Sequence, residues 1–137
     1  MQVDTFWGNI YIRDAANYSV VVLCLVVFLA VFELLTRYRN WDEIKKGNLA
    51  VAMATGGKIF GIANIFRFSI RHNDSLLTMI GWGAFGFALL MIGYFIFEFL
   101  TPTFRVDDEI ANDNRAVGFT AMMISIGLSF VIGAGIG

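Results

Sequence analysis

The sequence predicts an all-α integral membrane protein with four transmembrane helices, arranged as two tandem parallel-repeat hairpins after a short interfacial N-terminal segment. Three observations predict this fold class. The chain of 137 residues is 58% hydrophobic and only 15% charged, whereas soluble domains carry about 25% charged residues. Four apolar runs are each long enough to cross a bilayer. The second half of the sequence repeats motifs of the first half at a nearly constant offset.

The N-terminal segment, residues 1–17, has mixed polarity and places Phe6, Trp7, Ile10 and Tyr11 at helical spacing. Aromatic rings with this spacing anchor a helix at the membrane interface, so we predict a short interfacial helix. The segment lacks the basic start and apolar core of a signal peptide, so we expect the first apolar run to stay in the mature protein.

The four apolar runs are continuous and lack the strict alternation of a membrane β-strand, so we predict helices. Pro102 lies just after the third run, where a proline ends a helix at little cost. Asn40 and Glu43 have the spacing of a capping box, which predicts that the second helix begins near Trp41. The runs are 19–35, 49–66, 76–100 and 116–137.

Several short motifs recur in register. The sequence Phe-Glu-Leu-Leu-Thr at 32–36 recurs as Phe-Glu-Phe-Leu-Thr at 97–101, at an offset of 65 residues. Asp-Glu-Ile at 42–44 recurs at 108–110, at an offset of 66 residues. Each repeat is a two-helix hairpin that crosses the bilayer twice, so both repeats have the same orientation, which makes the repeat parallel. The predicted repeat units are residues 18–72 and 73–137.

Two stretches resemble a known family. The residues Glu-Leu-Leu-Thr-Arg-Tyr-Arg-Asn-Trp-Asp-Glu-Ile-Lys-Lys-Gly-Asn at 33–48 and Asp-Asp-Glu-Ile-Ala-Asn-Asp-Asn-Arg-Ala-Val-Gly-Phe at 107–119 resemble the YshE-like small bacterial membrane proteins. That family is built from a duplicated two-helix domain of unknown function. The resemblance covers the chain from Tyr18 onward and implies the same architecture and a bacterial cell-membrane location. It implies no catalytic residues.

The positions of lysine and arginine predict the orientation in the membrane. The connections 36–48 and 101–115 share one side and carry six basic residues, and the opposite side carries three. We therefore predict that both connections are cytoplasmic and that both termini lie outside. The resemblance implies that the membrane is the bacterial inner membrane.

Small residues predict that spans two and three are the inner helices. In span two they recur at steps of four and three and end in the amide of Asn64, a pattern that lets helices approach closely. Span three carries glycines where the first repeat has Val21 and Phe28. These residues either pack helices within one chain or form a contact between copies. The predicted helix-packing residues are Ala50, Ala54, Gly57, Gly61, Gly86 and Gly93.

Lys58 lies in the middle of span two, where a charged lysine that faces lipid costs about 2.5–3.5 kcal/mol. Three interpretations remain open: a structural ion pair or hydrogen-bonded cluster, a water-filled pathway, or a neutral or interfacial lysine in a tilted helix. The candidate partners of Lys58 are Glu33, Glu98, Thr55 and Tyr94.

Glu33 and Glu98 lie near the cytoplasmic ends of spans one and three. Arg37 follows Glu33 by four residues, a favourable helical ion pair, so an ordinary interfacial carboxylate is one interpretation. The other is a ring of acidic groups at the cytoplasmic mouth of an assembly, because such rings favour cations.

Several classes of protein are disfavoured by the sequence. It shows no nucleophile–base or paired-carboxylate arrangement typical of catalysis, so we predict no enzymatic activity and no cofactor. A net charge of −1 argues against nucleic-acid binding. His72 has no second histidine or cysteine nearby, which makes it a poor metal ligand, and Cys24 is a small apolar residue within a span.

Two function hypotheses follow. The first is a non-enzymatic, homo-oligomeric assembly in the lipid bilayer that forms or lines a passage for ions or small solutes. The second is a scaffold or accessory subunit that organises a partner protein or the bilayer without transport. In the first hypothesis the passage is lined by Lys58, Asn64, Thr55 and Tyr94, with Glu33 and Glu98 at its inner mouth.

Overall fold

A computed structural model describes residues 10–35, 39–72, 75–100 and 105–136. These segments form six helices and no strand, and four of the helices are long and apolar enough to cross a bilayer. The predicted all-α fold with four membrane spans is therefore confirmed. The helices are α1 (Ile10–Leu35), α2 (Asn40–Lys45), α3 (Leu49–His72), α4 (Leu76–Phe99), α5 (Val106–Ala111) and α6 (Arg115–Ala134).

Helix α1 begins nine residues before the predicted start of span one. It runs without a break through the second half of the predicted N-terminal segment, and its 26 residues exceed the roughly 20 that cross a bilayer. Ile10 and Tyr11 are exposed on its first turn. The predicted anchors Phe6 and Trp7 lie outside the described residues.

The connections that precede α3 and α6 have the same local structure. Each contains a six-residue helix, α2 or α5. Each then turns through a residue with a positive φ angle, +91° at Gly47 and 61° at Asp113. Glycine adopts this conformation freely and aspartate tolerates it better than most residues do. The two-hairpin repeat itself stays a prediction, and this shared loop structure agrees with it.

An asparagine caps the helix that follows each turn. Asn48 accepts a hydrogen bond from the Val51 N–H at 3.0 Å, and Asn114 accepts one from the Val117 N–H at 3.3 Å. The predicted capping box at Asn40 is wrong, because α2 is a separate short helix and α3 begins only after Asn48. The positive φ angle at Gly47 interrupts the helix between α2 and α3.

Helix α3 is the centre of the bundle. Of its most apolar 18 residues, 61% are buried within the chain, against 11% for α1 and 28% each for α4 and α6. The inner position predicted for span two is therefore observed. The prediction that span three shares it is wrong, because α4 is no more buried than α6. The reason is that α6 has its own stripe of small buried residues, Gly118, Ala121, Ser125, Ser129 and Gly133.

The small residues of α3 pack against α6 of the same chain. A Cβ atom added at Gly57 would lie 2.6 Å from Met122 Cα, and one added at Gly61 would lie 3.2 Å from the Ser125 carbonyl oxygen. Ala50 and Ala54 are buried on the same helix. Close approach of two backbones needs small residues at the contact. These glycines therefore pack helices within one chain.

The glycines of α4 admit side chains from both neighbouring helices. An added Cβ at Gly86 would lie 2.5 Å from Ile65 Cγ2 of α3, and one at Gly93 would lie 2.5 Å from Leu128 Cδ1 of α6. Gly86 and Gly93 are thus the positions where α4 receives apolar side chains from α3 and α6.

Asn48 also joins the first connection to the second, since its side-chain amide donates to the carbonyl oxygens of Ile110 at 3.2 Å and Ala111 at 2.9 Å. We expect Asn48→Ala to lower the free energy of unfolding by about 2–3 kcal/mol, because it removes a helix cap and three further hydrogen bonds, including one to Glu43. Unfolding of the purified protein in detergent micelles measures this. Asn112→Ala, at an exposed position, is the control, and equal losses in both variants would contradict the expectation.

Candidate functional site

Lys58 is completely buried, with 0% of its side chain exposed. Helical side chains tilt toward the N-terminus of their helix, so the ammonium group points to the end of the bundle where α2 and α5 lie. Its nitrogen lies 4.7 Å from the centre of the Phe32 ring and 5.2 Å from the centre of the Tyr94 ring. These distances are within the range of cation–π attraction. Lys58 therefore faces the bundle interior and not lipid.

Two carboxylates, Asp107 and Glu33, interact electrostatically with the Lys58 ammonium group. Asp107 is 2% exposed, and it accepts a hydrogen bond from the Tyr94 hydroxyl at 2.9 Å. Glu33 is half-buried, and it accepts a hydrogen bond from the Asn40 main-chain N–H at 3.0 Å. Residues from α1, α3, α4 and α5, joined by the start of α2, thus meet around one cation.

Helix α5 carries Asp107 into the bundle because it is amphipathic. Val106, Asp107 and Ile110 are buried on one face, whereas Asp108 is exposed on the other. Asp107 also lies in the first turn of the helix, where the helix dipole favours a negative charge. The connection between spans three and four therefore folds back over the end of the bundle.

Two uncharged polar side chains are buried at the same end of the bundle. The Asn40 amide is fully buried, and neither its nitrogen nor its oxygen has a hydrogen-bond partner within the described part of the chain. The Thr55 hydroxyl, three residues before Lys58 on α3, is also buried without a partner there. Most buried polar atoms are hydrogen-bonded. We call Lys58, Glu33, Asp107, Tyr94, Asn40 and Thr55 the buried charge cluster.

A second buried polar group lies further along α3. The Asn64 amide donates to the Ser129 hydroxyl at 3.0 Å, and Asn64 Oδ1 accepts from Arg67 at 3.4 Å. Asn64 is six residues beyond Lys58, about 9 Å along the helix axis. The buried hydroxyl residue Ser125 belongs to the intervening part of the α3–α6 contact. Buried polar residues are therefore present along the α3–α6 contact beyond the charge cluster.

Two open cavities include polar residues of these two groups in their walls. One has a volume of about 180 Å³ and includes Glu33 in its wall. The other has a volume of about 220 Å³ and includes Asn64. The first is completed by Val26, Leu29, Ala30 and Trp41, and the second by Phe60, Ala63 and Arg67.

Of the predicted partners of Lys58, Tyr94 and Glu33 interact with it, and Thr55 lies one turn away on the same helix face. Glu98 lies half-buried in the last turn of α4, one turn beyond Tyr94. A ring of Glu33 and Glu98 carboxylates between copies stays a prediction, and within its own chain Glu33 accepts the hydrogen bond from Asn40.

Asp107 is not among the predicted site residues, and Asn40 is predicted only as a helix cap, yet both are buried at this end of the bundle. A signal for both exists in the repeat, because at the offset of 66 residues Asp107 aligns with Trp41 and Asn40 aligns with Val106. The same comparison aligns Lys58 with Ile124. Three residues of the buried charge cluster, Asn40, Lys58 and Asp107, therefore align with an apolar residue in the other repeat.

Comparison with known proteins assigns the chain to a family. A family model described as Domain of Unknown Function (DUF350) matches residues 7–136. The chain belongs to the DUF350 family. Over 131 residues it is 68% identical to the UPF0719 transmembrane protein YshE of Bacillus subtilis (strain 168), covering 96% of the chain and 98% of that protein.

A more distant relative of this DUF350 protein is the UPF0719 inner membrane protein YjfL of Escherichia coli (strain K12). The two are 21% identical over 104 residues, which cover 76% of the chain and 77% of that protein. No solved structure matches the chain. The resemblance to YshE-like proteins is confirmed, and the DUF350 protein is a multi-pass membrane protein.

Proposed function

We propose that this DUF350 protein is a non-enzymatic passage for a small cation through the interior of a single four-helix bundle. One observation carries the proposal: buried polar side chains extend from the charge cluster to Asn64, and an open cavity meets them at each end. Polar and ionisable residues inside a membrane span are costly to retain and usually mark an ion or solute pathway.

The charge cluster favours cations over anions. It holds two carboxylates, Asp107 and Glu33, against the single ammonium group of Lys58, and acidic groups in a pore select for cations. In this proposal the fully buried Lys58 closes the passage between the two separate cavities. Conduction in this proposal needs a rearrangement around Lys58.

The proposed passage lies inside each chain and does not require several copies around an axis. The polar side chains and the α3 glycines are covered by α6 of the same chain. Assembly into a homo-oligomer stays a prediction, as does the cytoplasmic placement of the end that holds the charge cluster. The exposed apolar residues of α1 fit contact with lipid tails.

Cation flux into liposomes tests the proposal. We expect the purified wild-type protein to raise flux above that of protein-free liposomes. Lys58→Met is expected to raise flux at least about tenfold further, because a 1.4 kcal/mol lower barrier for a passing cation gives that factor. Ile124→Met, at the position aligned with Lys58 in the second repeat, is the control and should change flux by less than about twofold.

The alternative function, a scaffold or accessory subunit, is favoured by the closed packing around Lys58. If it is right, flux stays at the protein-free background in the wild type and in Lys58→Met, and the substitution alters only stability or assembly. That result would reject the passage.

A further inference from the structure

We propose that an open groove on α3 binds one anionic phospholipid per chain. The groove, here called the α3 groove, is lined by Phe60, Ala63, Asn64 and Arg67. The Arg67 guanidinium group binds the phosphate, and the apolar part of the groove binds an acyl chain. This site goes beyond the proposed passage and does not depend on it. A lipid bound here would cover the passage near Asn64, so the test measures lipid binding and not cation flux.

The shape of the α3 groove follows from the spacing of its four residues. They occupy positions i, i+3, i+4 and i+7 of α3, so they lie in one row along one face of the helix. Ala63, the smallest of them, lies between the longer side chains of Phe60 and Arg67, which leaves a depression in the surface. The cavity there has a volume of about 220 Å³.

Aromatic rings give the groove an apolar wall. The Phe60 ring lies 6.3 Å from the Phe130 ring of α6, and the Phe130 ring lies 6.3 Å from the Phe68 ring. Phe60 and Phe130 are each 46% exposed on spans that are apolar enough to cross a bilayer. An acyl chain that runs along α3 can therefore gain dispersion contacts with both rings.

Arg67 is the polar end of the groove. It is exposed, donates to Asn64 Oδ1 at 3.4 Å, and lies 5.3 Å from the centre of the Phe68 ring. No carboxylate of residues 10–35, 39–72, 75–100 or 105–136 forms a salt bridge with it. Arginine has several N–H donors in a planar fork, so donors remain for a second partner. A phosphate is an anion whose oxygens match this fork.

Asn64 directs the guanidinium group into the groove. Asn64 is 7% exposed, and its amide nitrogen donates to the Ser129 hydroxyl of α6 at 3.0 Å. Its oxygen is therefore the end that accepts from Arg67. Because Asn64 precedes Arg67 by three residues, this bond draws the arginine side chain back along α3. The charge of Arg67 thus lies beside the apolar part of the groove.

The depth of Arg67 in the membrane favours a lipid phosphate as its partner. Arg67 lies one turn before the end of the candidate span Leu49–Arg71. It is 18 residues beyond Leu49, about 27 Å along the helix, and the hydrocarbon layer is about 30 Å thick. A cation near this boundary that points back into the span is poorly solvated by lipid tails. The phosphate of a neighbouring lipid lies close to this depth and supplies the missing anion.

The test is native mass spectrometry of the purified full chain in an uncharged detergent, which counts bound lipids and gives their Kd. The probes are phosphatidylglycerol and phosphatidylcholine with the same acyl chains, compared at equal ionic strength. We expect one phosphatidylglycerol per chain, with a Kd at least about tenfold lower than that of phosphatidylcholine, a difference of about 1.4 kcal/mol. Equal affinity for the two lipids would overturn the inference.

Two variants change the two parts of the site separately. Arg67→Gln keeps a donor for Asn64 but removes the charge, so Kd for phosphatidylglycerol should rise about tenfold, to the phosphatidylcholine value. Ala63→Leu fills the depression without a change of charge, so it should weaken the binding of both lipids. Arg71→Gln is the matched control, because it removes the same charge from an exposed position one turn further along α3. It should change Kd by about twofold or less.

Wild-type affinity in Arg67→Gln would reject the site. Equal weakening in Arg67→Gln and Arg71→Gln would also reject it, since that result indicates attraction to surface charge alone. If Arg67→Gln does not fold, wild-type affinity in Ala63→Leu serves as the contrary result. Glycerol phosphate, which has no acyl chain, is the last probe. If it displaces phosphatidylglycerol at equal concentration, the site binds free phosphate esters and the lipid is rejected as the ligand.

Discussion

The Gly57→Val variant is expected to lose the folded bundle, whereas Gly56→Ala is expected to match the wild type or exceed its stability. A Cβ atom at Gly57 meets the main chain of Met122 at 2.6 Å, and nothing lies within 4 Å of a Cβ at Gly56. The main chain of Met122 cannot move aside as a flexible side chain can. The valine side chain would therefore force α3 and α6 apart. We expect the free energy of unfolding to fall by about 3 kcal/mol or more.

Unfolding in micelles and the yield of monodisperse protein measure this difference between adjacent glycines. At Gly56, alanine replaces a residue with poor helix propensity, a change that favours the helix by up to about 1 kcal/mol. Equal stability of Gly57→Val and Gly56→Ala would show that α3 and α6 do not pack as closely as described.

The second large effect is expected from Asp107→Asn. This substitution keeps the size of the side chain but removes a buried carboxylate that interacts electrostatically with Lys58. Removal of one partner of a buried ion pair costs about 3–5 kcal/mol, because the other charge stays buried. Asp108→Asn, on the exposed face of the same helix, is expected to change stability by about 0.5 kcal/mol or less.

A double-mutant cycle separates the loss of the charge pair from other effects of Asp107→Asn. If the cost arises from the stranded ammonium group, adding Lys58→Met to Asp107→Asn should recover most of the lost stability. The coupling between the two positions should then exceed about 1 kcal/mol. Additive losses would show that Asp107 stabilises α5 independently of Lys58.

Much of the fold follows from hydropathy, because a bilayer admits only long apolar helices with satisfied backbones. The four spans, and the unusual position of Lys58 among them, are visible in that pattern. A hydropathy profile places the polar connections outside the membrane, so it does not predict that Asp107 is buried in the bundle. The residue is polar, is near the water-exposed loops in sequence, and enters the bundle only because α5 folds back.

The sequence pattern predicts less about which helices pack against each other. A stripe of small residues identifies α3 as a helix with close neighbours, but it does not say which helix supplies the opposing surface. Serine and alanine in α6 allow close helix contact as well as glycine does in α4. A count of glycines alone therefore predicts span three, and not span four, as an inner helix. The burial of Asn40 also depends on tertiary structure. Its local sequence fits a capping box and does not predict that its side chain is buried.

The closest helix contact in the bundle joins α3 to α6, which are distant in the chain. During synthesis α3 is therefore complete before α5 and α6 are made. Until then Lys58 has no Asp107 beside it and the glycine face of α3 is uncovered. The contact between α3 and α6 can therefore form only after the last span has been made.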